Sequence, residues 1–295
     1  MLLKSNKKIS NVGYALEYTP RVLRLMALET KAGAYHISHY EQRLLNYKGI
    51  NSGGGFPAGG SLIQTLKDMR QSIGGDRPRL VVGIEAADLI LQCVQMSKVQ
   101  QFYPQGRALL NAQPTLLSNY SWDMAPLTAY QGAEHYALWV AYPLAKINLL
   151  LALCTYCDFT LLAIEPCVCA LARASGLLLQ QPYGLFLLHE ASRLNLFLVV
   201  QGEVYGLRQF TDPLTCAQAV QEMCADPKLM PYMEKLTTLF VIEEGVECYP
   251  VALPRAWQQV RVDVLQYVTT DRPYSVEGYR FQLLTCVGLA LRSEK

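Results

Sequence analysis

Residues 136–175 alternate between short apolar runs and longer stretches with a helical spacing of apolar side chains. The pattern predicts a strand at 136–142, a helix at 144–157, a strand at 160–164 and a helix at 166–175. Strands and helices that alternate along a chain pack in layers, with the helices covering the faces of a sheet. This segment therefore predicts an α/β fold.

Strand-rich segments lie on both sides of it. Residues 12–27 and 34–42 are predicted to form two strands around a turn at 30–33, and three strands are predicted to follow one another between 185 and 210. A chain of 295 residues is long enough for two lobes. The repeated plan predicts two α/β halves, each of which begins with adjacent strands.

Composition excludes several classes of protein. The apolar share of 51% is enough for a large core, and the net charge of +2 lacks the excess of Lys and Arg that binding to a phosphate backbone requires. The most apolar segment, 147–166, contains Asp158 and Glu165, and a charge inside a membrane-spanning helix costs about 2.5 to 3.5 kcal/mol. No signal-peptide pattern follows the N-terminal lysines. We expect a soluble cytoplasmic protein without direct contact to nucleic acid.

The residue types that carry metal or catalytic chemistry are scattered. The nine cysteines lie mostly in apolar runs, which is typical of reduced core thiols. Cys154 and Cys157 form a CxxC pair, but no second pair or histidine follows at the spacing of a zinc site. His36 and His39 stand three apart on a predicted strand, so their side chains should face opposite sides. We expect no metal site and no catalytic group.

Four short motifs resemble one family. They are residues 141–143 (AYP), 164–166 (IEP), 170–174 (ALARA) and 288–292 (GLALR). In this order they resemble the PilM family of type IV pilus assembly proteins, and the likeness spans most of the chain. The resemblance implies an actin-like (ribonuclease H-like) two-lobed α/β fold.

The same resemblance implies the division of the chain. The first lobe is expected at 1–183, with an inserted subdomain at about 45–135, and the second lobe at 184–295. Only thirty residues separate Arg208 from Leu239, so the subdomain of the second lobe is expected to be shortened. The short second lobe and the altered nucleotide motifs are similar to the HofM and ComA branch of the family, which is associated with competence and DNA uptake.

The altered motifs are the places where the family holds a nucleotide. Ala15 and Glu17 stand at the first place, Glu190 at the second, and Glu243 and Gly245 at the third. A carboxylate repels a phosphate, and phosphoryl transfer depends on positioning and on neutralised charge. We therefore expect neither ATP nor Mg²⁺ to bind, and a pseudo-ATPase without enzymatic activity.

The resemblance also implies a partner. Members of the family bind the cytoplasmic tail of a PilN-like or HofN-like single-pass membrane protein, with a motor ATPase or platform protein as further contacts, and they reach the inner membrane only through that partner. Such a tail is expected in a groove of the first lobe, at a sheet edge. The candidate residues are aromatics in or beside the stretch 100–131, because aromatic side chains dominate binding surfaces: Phe102, Tyr103, Tyr120, Trp122 and Tyr130.

Two alternatives stay open at the level of the sequence. One is an active actin-like ATP-binding protein of the PilM or FtsA type, in which Glu17 or Glu190 would act as an unusual ligand. The other is the cytoplasmic domain of a GspL-like type II secretion protein, which should carry a transmembrane helix.

Overall fold

The computed structural model describes eleven segments of the chain: residues 12–19, 22–45, 61–85, 89–95, 119–128, 136–178, 182–190, 193–212, 215–243, 257–271 and 283–293.

The first sheet has six strands in the order β14-β3-β2-β1-β4-β8. Strands β1, β2 and β3 form an antiparallel meander, and β4 and β8 run parallel to β1. Strand β2 is central and almost continuously buried, since its sequence VLRLMAL is apolar on both faces apart from one arginine. The bounds are β1 Val12–Tyr18, β2 Val22–Lys31, β3 Ala34–Leu44, β4 Arg79–Ile84, β8 Thr160–Pro166 and β14 Val268–Thr270.

The predicted single strand at 12–27 is wrong. The structure splits it into β1 and β2, which pair as a hairpin. The ladder pairs residues 12–18 with residues 23–29. The sequence between these strands contains a proline, which has no N–H to donate to a ladder. The first lobe therefore opens with a tight hairpin, and the turn at 30–33 joins β2 to β3.

The second sheet repeats the plan of the first, with the order β11-β10-β9-β12-β13. Its first three strands form an antiparallel meander, and β12 runs parallel to both β9 and β13. Two sheets with this order, three antiparallel strands followed by two parallel ones, define the actin-like fold, and the predicted fold class is confirmed. The bounds are β9 Tyr183–Glu190, β10 Arg193–Val200, β11 Glu203–Phe210, β12 Thr238–Glu243 and β13 Gln258–Arg261.

A third, three-stranded sheet lies between β4 and β8 in the chain. Its order is β5-β7-β6, with β5 at Ile90–Gln95, β6 at Tyr120–Pro126 and β7 at Tyr136–Pro143. We call it the inserted sheet. The helix α1 (Ser61–Gln71) falls within the range expected for the insertion, but its buried face packs in one core with β1 and β4 of the first sheet.

In the described part of the chain, four short to medium helices lie between the inserted sheet and the last helix. The strand and helix pattern expected over 136–175 is confirmed, since β7, α2, β8 and α3 appear in that order. Among the helices that the structure describes, none has the length and apolar content needed to cross a bilayer. The bounds are α2 Leu144–Tyr156, α3 Cys167–Leu178, α4 Cys216–Ala225 and α5 Met230–Met233.

The last helix, α6 (Leu283–Ser293), returns to the first sheet although it follows the second one in the chain. It packs along β1, β2, β4 and α3. Its sequence LLTCVGLALRS is apolar on nearly every side, which is typical of a helix enclosed by the rest of the protein, and every side chain except that of Arg292 is buried. Strand β14 likewise returns and pairs with β3.

Candidate functional site

Three residues form a row across the parallel strands of the first sheet. The register pairs Glu17 of β1 with Gly83 of β4, and Gly83 with Glu165 of β8. Each is the last but one residue of its strand. Ligands of α/β sheets bind beside the carboxyl ends of the strands, so this row marks the edge where a site is expected.

Helix α6 lies across the row. The Cys286 thiol donates to Glu17 Oε2 over 3.4 Å, and a Cβ atom added to Gly83 would meet Leu289 Cδ1 at 2.6 Å. Arg292 contacts Glu165. Because positions 286, 289 and 292 are three apart, they share one face of the helix. This face covers the row from end to end.

Glu17 is buried in an ion pair. Its side chain is 3% exposed, and its Oε2 lies 3.1 Å from Nη1 of Arg24, which is 2% exposed. Arg24 donates from Nε to Gln42 Oε1 over 2.9 Å, and the Tyr40 hydroxyl donates to the same oxygen over 3.1 Å. Since Glu17, Arg24 and Gln42 are register partners, the polar chain crosses three strands. Glu17, which the sequence predicts at a phosphate position, thus lies beside a guanidinium.

The turn between β1 and β2 also uses its own amides. The N–H of Thr19 donates to Val22 O over 3.0 Å, and the N–H of Val22 donates to Thr19 Oγ1 over 2.9 Å. Pro20, between them, has no N–H. A phosphate cradle is built from backbone N–H groups that point to the ligand. These two amides are not available to a phosphate, and Ala15, fully buried in β1, has no polar side chain to offer.

The residues expected at the second and third altered nucleotide motifs lie at neighbouring strand ends. Glu190 is the last residue of β9 and pairs with Arg193, and Glu243 is the last residue of β12 and pairs with His189. Because β9 and β12 are parallel, the backbones of the two glutamates meet at one edge of the second sheet. The structure does not describe their side chains, and Gly245 lies outside the described residues.

Three of the four short motifs at 141–143, 164–166, 170–174 and 288–292 meet at Glu165. Its carboxylate, 3% exposed, accepts from Arg173 Nη1 and Nη2 over 2.7 and 2.8 Å, and it also contacts Nη1 of Arg292. Arg173 Nη1 donates to Gly288 O over 2.7 Å as well. Burial by itself lowers the pKa of Arg173, but hydrogen bonding to Glu165 and its charge outweigh that effect, and the pKa is raised. The cluster ties α3 and α6 to the end of β8.

Sequence reasoning found these motifs but missed the roles of the three arginines. One signal was available for Arg24 and Glu17, because each is the only charged residue in an apolar run, VLRLMAL and VGYALEY, and a buried charge needs a partner. The contacts of Arg173 and Arg292 depend on how α6 packs, and no local pattern reveals that.

A cavity of about 280 Å³ lies beside the Glu165 cluster, and we call it the junction cavity. It is bounded by the inserted sheet, by β8 and α3 of the first lobe, by Arg292 and by the turn between β10 and β11. Glu203, the first residue of β11, accepts from Thr128 N and Thr128 Oγ1, both over 2.8 Å, and so binds the second lobe to the end of the inserted sheet. The apolar wall includes Met124, Leu127, Leu138, Val140 and Ile164.

The aromatic candidates for partner binding are placed on β6 where the structure describes them. Tyr120 packs against the small core of the inserted sheet around Trp139, and Trp122 is 37% exposed. Residues Asp123 to Leu127, which follow directly, line the junction cavity. The sequence candidates Phe102, Tyr103 and Tyr130 lie outside the described residues.

The CxxC pair is packed in the core. Cys154 and Cys157 are both buried, and Cys157 Sγ lies 3.6 Å from Ile63 O. Burial raises the pKa of the Cys154 thiol to about 12 and that of Cys157 to about 11, so both are protonated at neutral pH. In the described segments no group of three or more His, Cys, Asp or Glu is placed to hold a metal ion.

One cluster contains the residue types of a hydrolytic triad without its geometry. Ser72 Oγ lies 3.1 Å from His39 Nε2 and 2.8 Å from Glu41 Oε2. Glu41 Oε2 is 3.7 Å from the same ring nitrogen. A triad needs the carboxylate at the other nitrogen of the imidazole, where it orients the ring. The arrangement therefore does not activate Ser72.

Comparison with known proteins identifies the fold. No protein-family model and no curated protein matches the sequence. Among solved structures, the chain is similar to one in a PilM-PilN type IV pilus biogenesis complex, with a TM-score of 0.70 and 14% identity over 97% of this chain and 99% of that one. It is also similar to the cytoplasmic domain of EpsL, an inner-membrane component of the Vibrio cholerae type II secretion system, with a TM-score of 0.54 and 12% identity over 86% and 91%. The protein thus has the two-lobed actin-like fold that these structures share.

Proposed function

We propose that this protein is a cytoplasmic scaffold subunit of a type IV pilus or competence DNA-uptake platform, peripheral to the inner membrane. In this role it binds the cytoplasmic tail of a PilN-like or HofN-like single-pass membrane protein and contacts the membrane only through it. A motor ATPase or platform protein is a further partner. Similarity over almost the full length of both chains favours the pilus system over the secretion domain, whose TM-score is lower.

The observation that carries the proposal is a contrast within the site. At the first-lobe hairpin, the ion pair of Glu17 and Arg24 and the helix α6 fill the space beside the sheet. The junction cavity, at the Glu165 end of the row, is open. An ATPase with this fold would need backbone amides for the phosphates and a carboxylate for the metal ion near that hairpin. We infer that the chain works as a binding protein without ATP or Mg²⁺.

The edge of the inserted sheet offers a place for an extended tail. Within the described strands β6 pairs on one side only, with β7, so its other edge can accept main-chain hydrogen bonds from an added strand. Trp122 stands exposed on this strand, and the junction cavity lies at its far end. The tail is proposed to run along β6, contact Trp122 and place apolar side chains in the cavity.

The test is direct binding of a synthetic peptide with the sequence of a PilN-like cytoplasmic tail, measured by fluorescence polarisation. We expect saturable binding that Trp122→Ala weakens about 30-fold, since a central aromatic anchor contributes about 2 kcal/mol or more. Tyr156→Ala is the matched control, because this aromatic side chain is 62% exposed but distant from the cavity. Tyr156 ends α2 and precedes the start of β8, whereas the cavity lies at the far end of β8. Absence of binding at high micromolar peptide, or equal losses in both variants, contradicts the proposal.

A further inference from the structure

The junction cavity lies along the edges of two strands. It is lined by four consecutive residues of β6, 123–126, and by three consecutive residues of β8, 164–166. Because consecutive side chains of a strand point to opposite faces, these unbroken runs place the cavity along the strand edges. Among the described strands, β6 ends the inserted sheet and β8 ends the first sheet, so each has an edge without a neighbouring strand. An extended peptide segment fits between two such edges.

The register shows which backbone groups of β6 turn to its outer edge. The N–H of Leu127 donates to Tyr136 O over 2.8 Å, and this pair continues the antiparallel register of β6 and β7. In such a ladder, alternate residues direct both backbone groups at the partner strand, and the residues between them direct theirs outward. The groups of Trp122 and Met124 therefore turn away from β7. Because the Met124 N–H donates to Asp123 Oδ1 over 2.8 Å, an added strand must displace that carboxylate.

The side chains of β6 lie on two faces with different surroundings. Trp122 is on the face that carries the small core of the inserted sheet. Asp123 and Ala125 are on the other face, which they share with Leu138 and Val140, the two β7 residues that line the cavity. The cavity therefore extends from the edge of β6 beneath the face opposite to Trp122. One side chain of a peptide strand beside β6 cannot reach both places.

We propose that the tail binds as a strand beside β6 and contacts Trp122 and the junction cavity through apolar side chains an odd number of residues apart. Register partners in neighbouring strands point to the same face, whichever way the strands run. The tail residue opposite Trp122 thus shares its face. The tail residues opposite Asp123 and Ala125, one and three positions away, point to the cavity. This inference rests on the proposed function, since it names the pattern of side chains by which the tail is recognised.

The experiment is an alanine scan of the tail peptide, measured with the wild-type protein, with Trp122→Ala and with Ala125→Leu. Ala125 is exposed and lines the cavity, so a leucine there occupies the space that a tail side chain would fill. Alanine at one peptide position should weaken binding to the wild-type protein about 10-fold or more, but have little effect with Trp122→Ala. Alanine at a second position should show the same behaviour with Ala125→Leu. The two positions should lie one or three residues apart.

Ala34→Leu is the matched control for Ala125→Leu. Ala34 is an exposed alanine at the start of a strand, and three strands of the first sheet separate its strand β3 from β8. This variant should bind the peptide as the wild-type protein does.

A second measurement needs no variant with a filled cavity. One residue inserted between the two peptide positions turns the cavity side chain to the wrong face, so the peptide should lose about as much affinity as when that side chain is removed. Two inserted residues restore the face and should recover part of the loss. An even spacing, one position that responds to both variants, or a single insertion without effect overturns this inference and leaves the proposed function standing. A tail that does not bind the wild-type protein at all overturns both.

Discussion

Arg24→Ala should lower the free energy of unfolding by about 3 to 5 kcal/mol. The substitution leaves the carboxylate of Glu17 buried without its cation, and the weak thiol donor of Cys286 does not replace a guanidinium. It also removes one of the two donors to Gln42 Oε1 and leaves that of Tyr40. The measurement is urea unfolding at pH 7, followed by far-ultraviolet circular dichroism.

Arg43→Ala is the matched control for this prediction. Arg43 lies on the neighbouring strand β3 and contacts Glu41, but its side chain is 55% exposed, so the loss should stay within about 1 kcal/mol. Replacing both buried charges, with Glu17→Gln and Arg24→Met together, should recover much of the stability that Arg24→Ala loses. Equal losses in Arg24→Ala and Arg43→Ala would show that the ion pair does not hold the hairpin.

Gly288→Ala should be the second severe change. A Cβ atom at Gly288 would lie 1.9 Å from the carbonyl oxygen of Ala170, so α6 could not keep its distance from α3. Alanine favours a helix by about 1 kcal/mol over glycine, but moving a backbone carbonyl aside costs more. The Arg173 bond to Gly288 O would be displaced as well. We expect a net loss of about 2 kcal/mol or more in the same unfolding measurement.

Gly74→Ala serves as the control for the helix contact. A Cβ atom at Gly74 would meet no atom within 4 Å, so the change should alter stability by about 0.5 kcal/mol at most. Wild-type stability of Gly288→Ala would mean that α6 and α3 do not approach through their backbones.

Local patterns predicted the parts of the fold that depend on local interactions. The order of β7, α2, β8 and α3 follows from apolar spacing, and the meander of the second lobe follows from short turns between apolar runs. The long strand predicted at 12–27 is wrong, because the apolar pattern continues from β1 into β2 and hides the turn between them. The proline at position 20 was the sequence signal for a break, since proline cannot donate to a ladder.

Contacts between distant segments could not be predicted in this way. The composition of α6 shows that it is buried, but not that it covers the first sheet after the chain has passed through the second. Glu17 was identified as an unusual residue at a nucleotide position, yet its partner Arg24 becomes its neighbour only through the register of β1 and β2. The junction cavity is lined by four separate parts of the chain, so no local sequence pattern predicts it.

The most direct test of the central claim, that the first-lobe hairpin is occupied by the protein's own ion pair, is the melting temperature of the purified protein with increasing Mg-ATP. We expect no change up to millimolar nucleotide. A ligand present at 100 times its dissociation constant would stabilise the folded state by about 2.7 kcal/mol, which such a melt detects readily. A saturable rise in melting temperature with Mg-ATP would contradict the account.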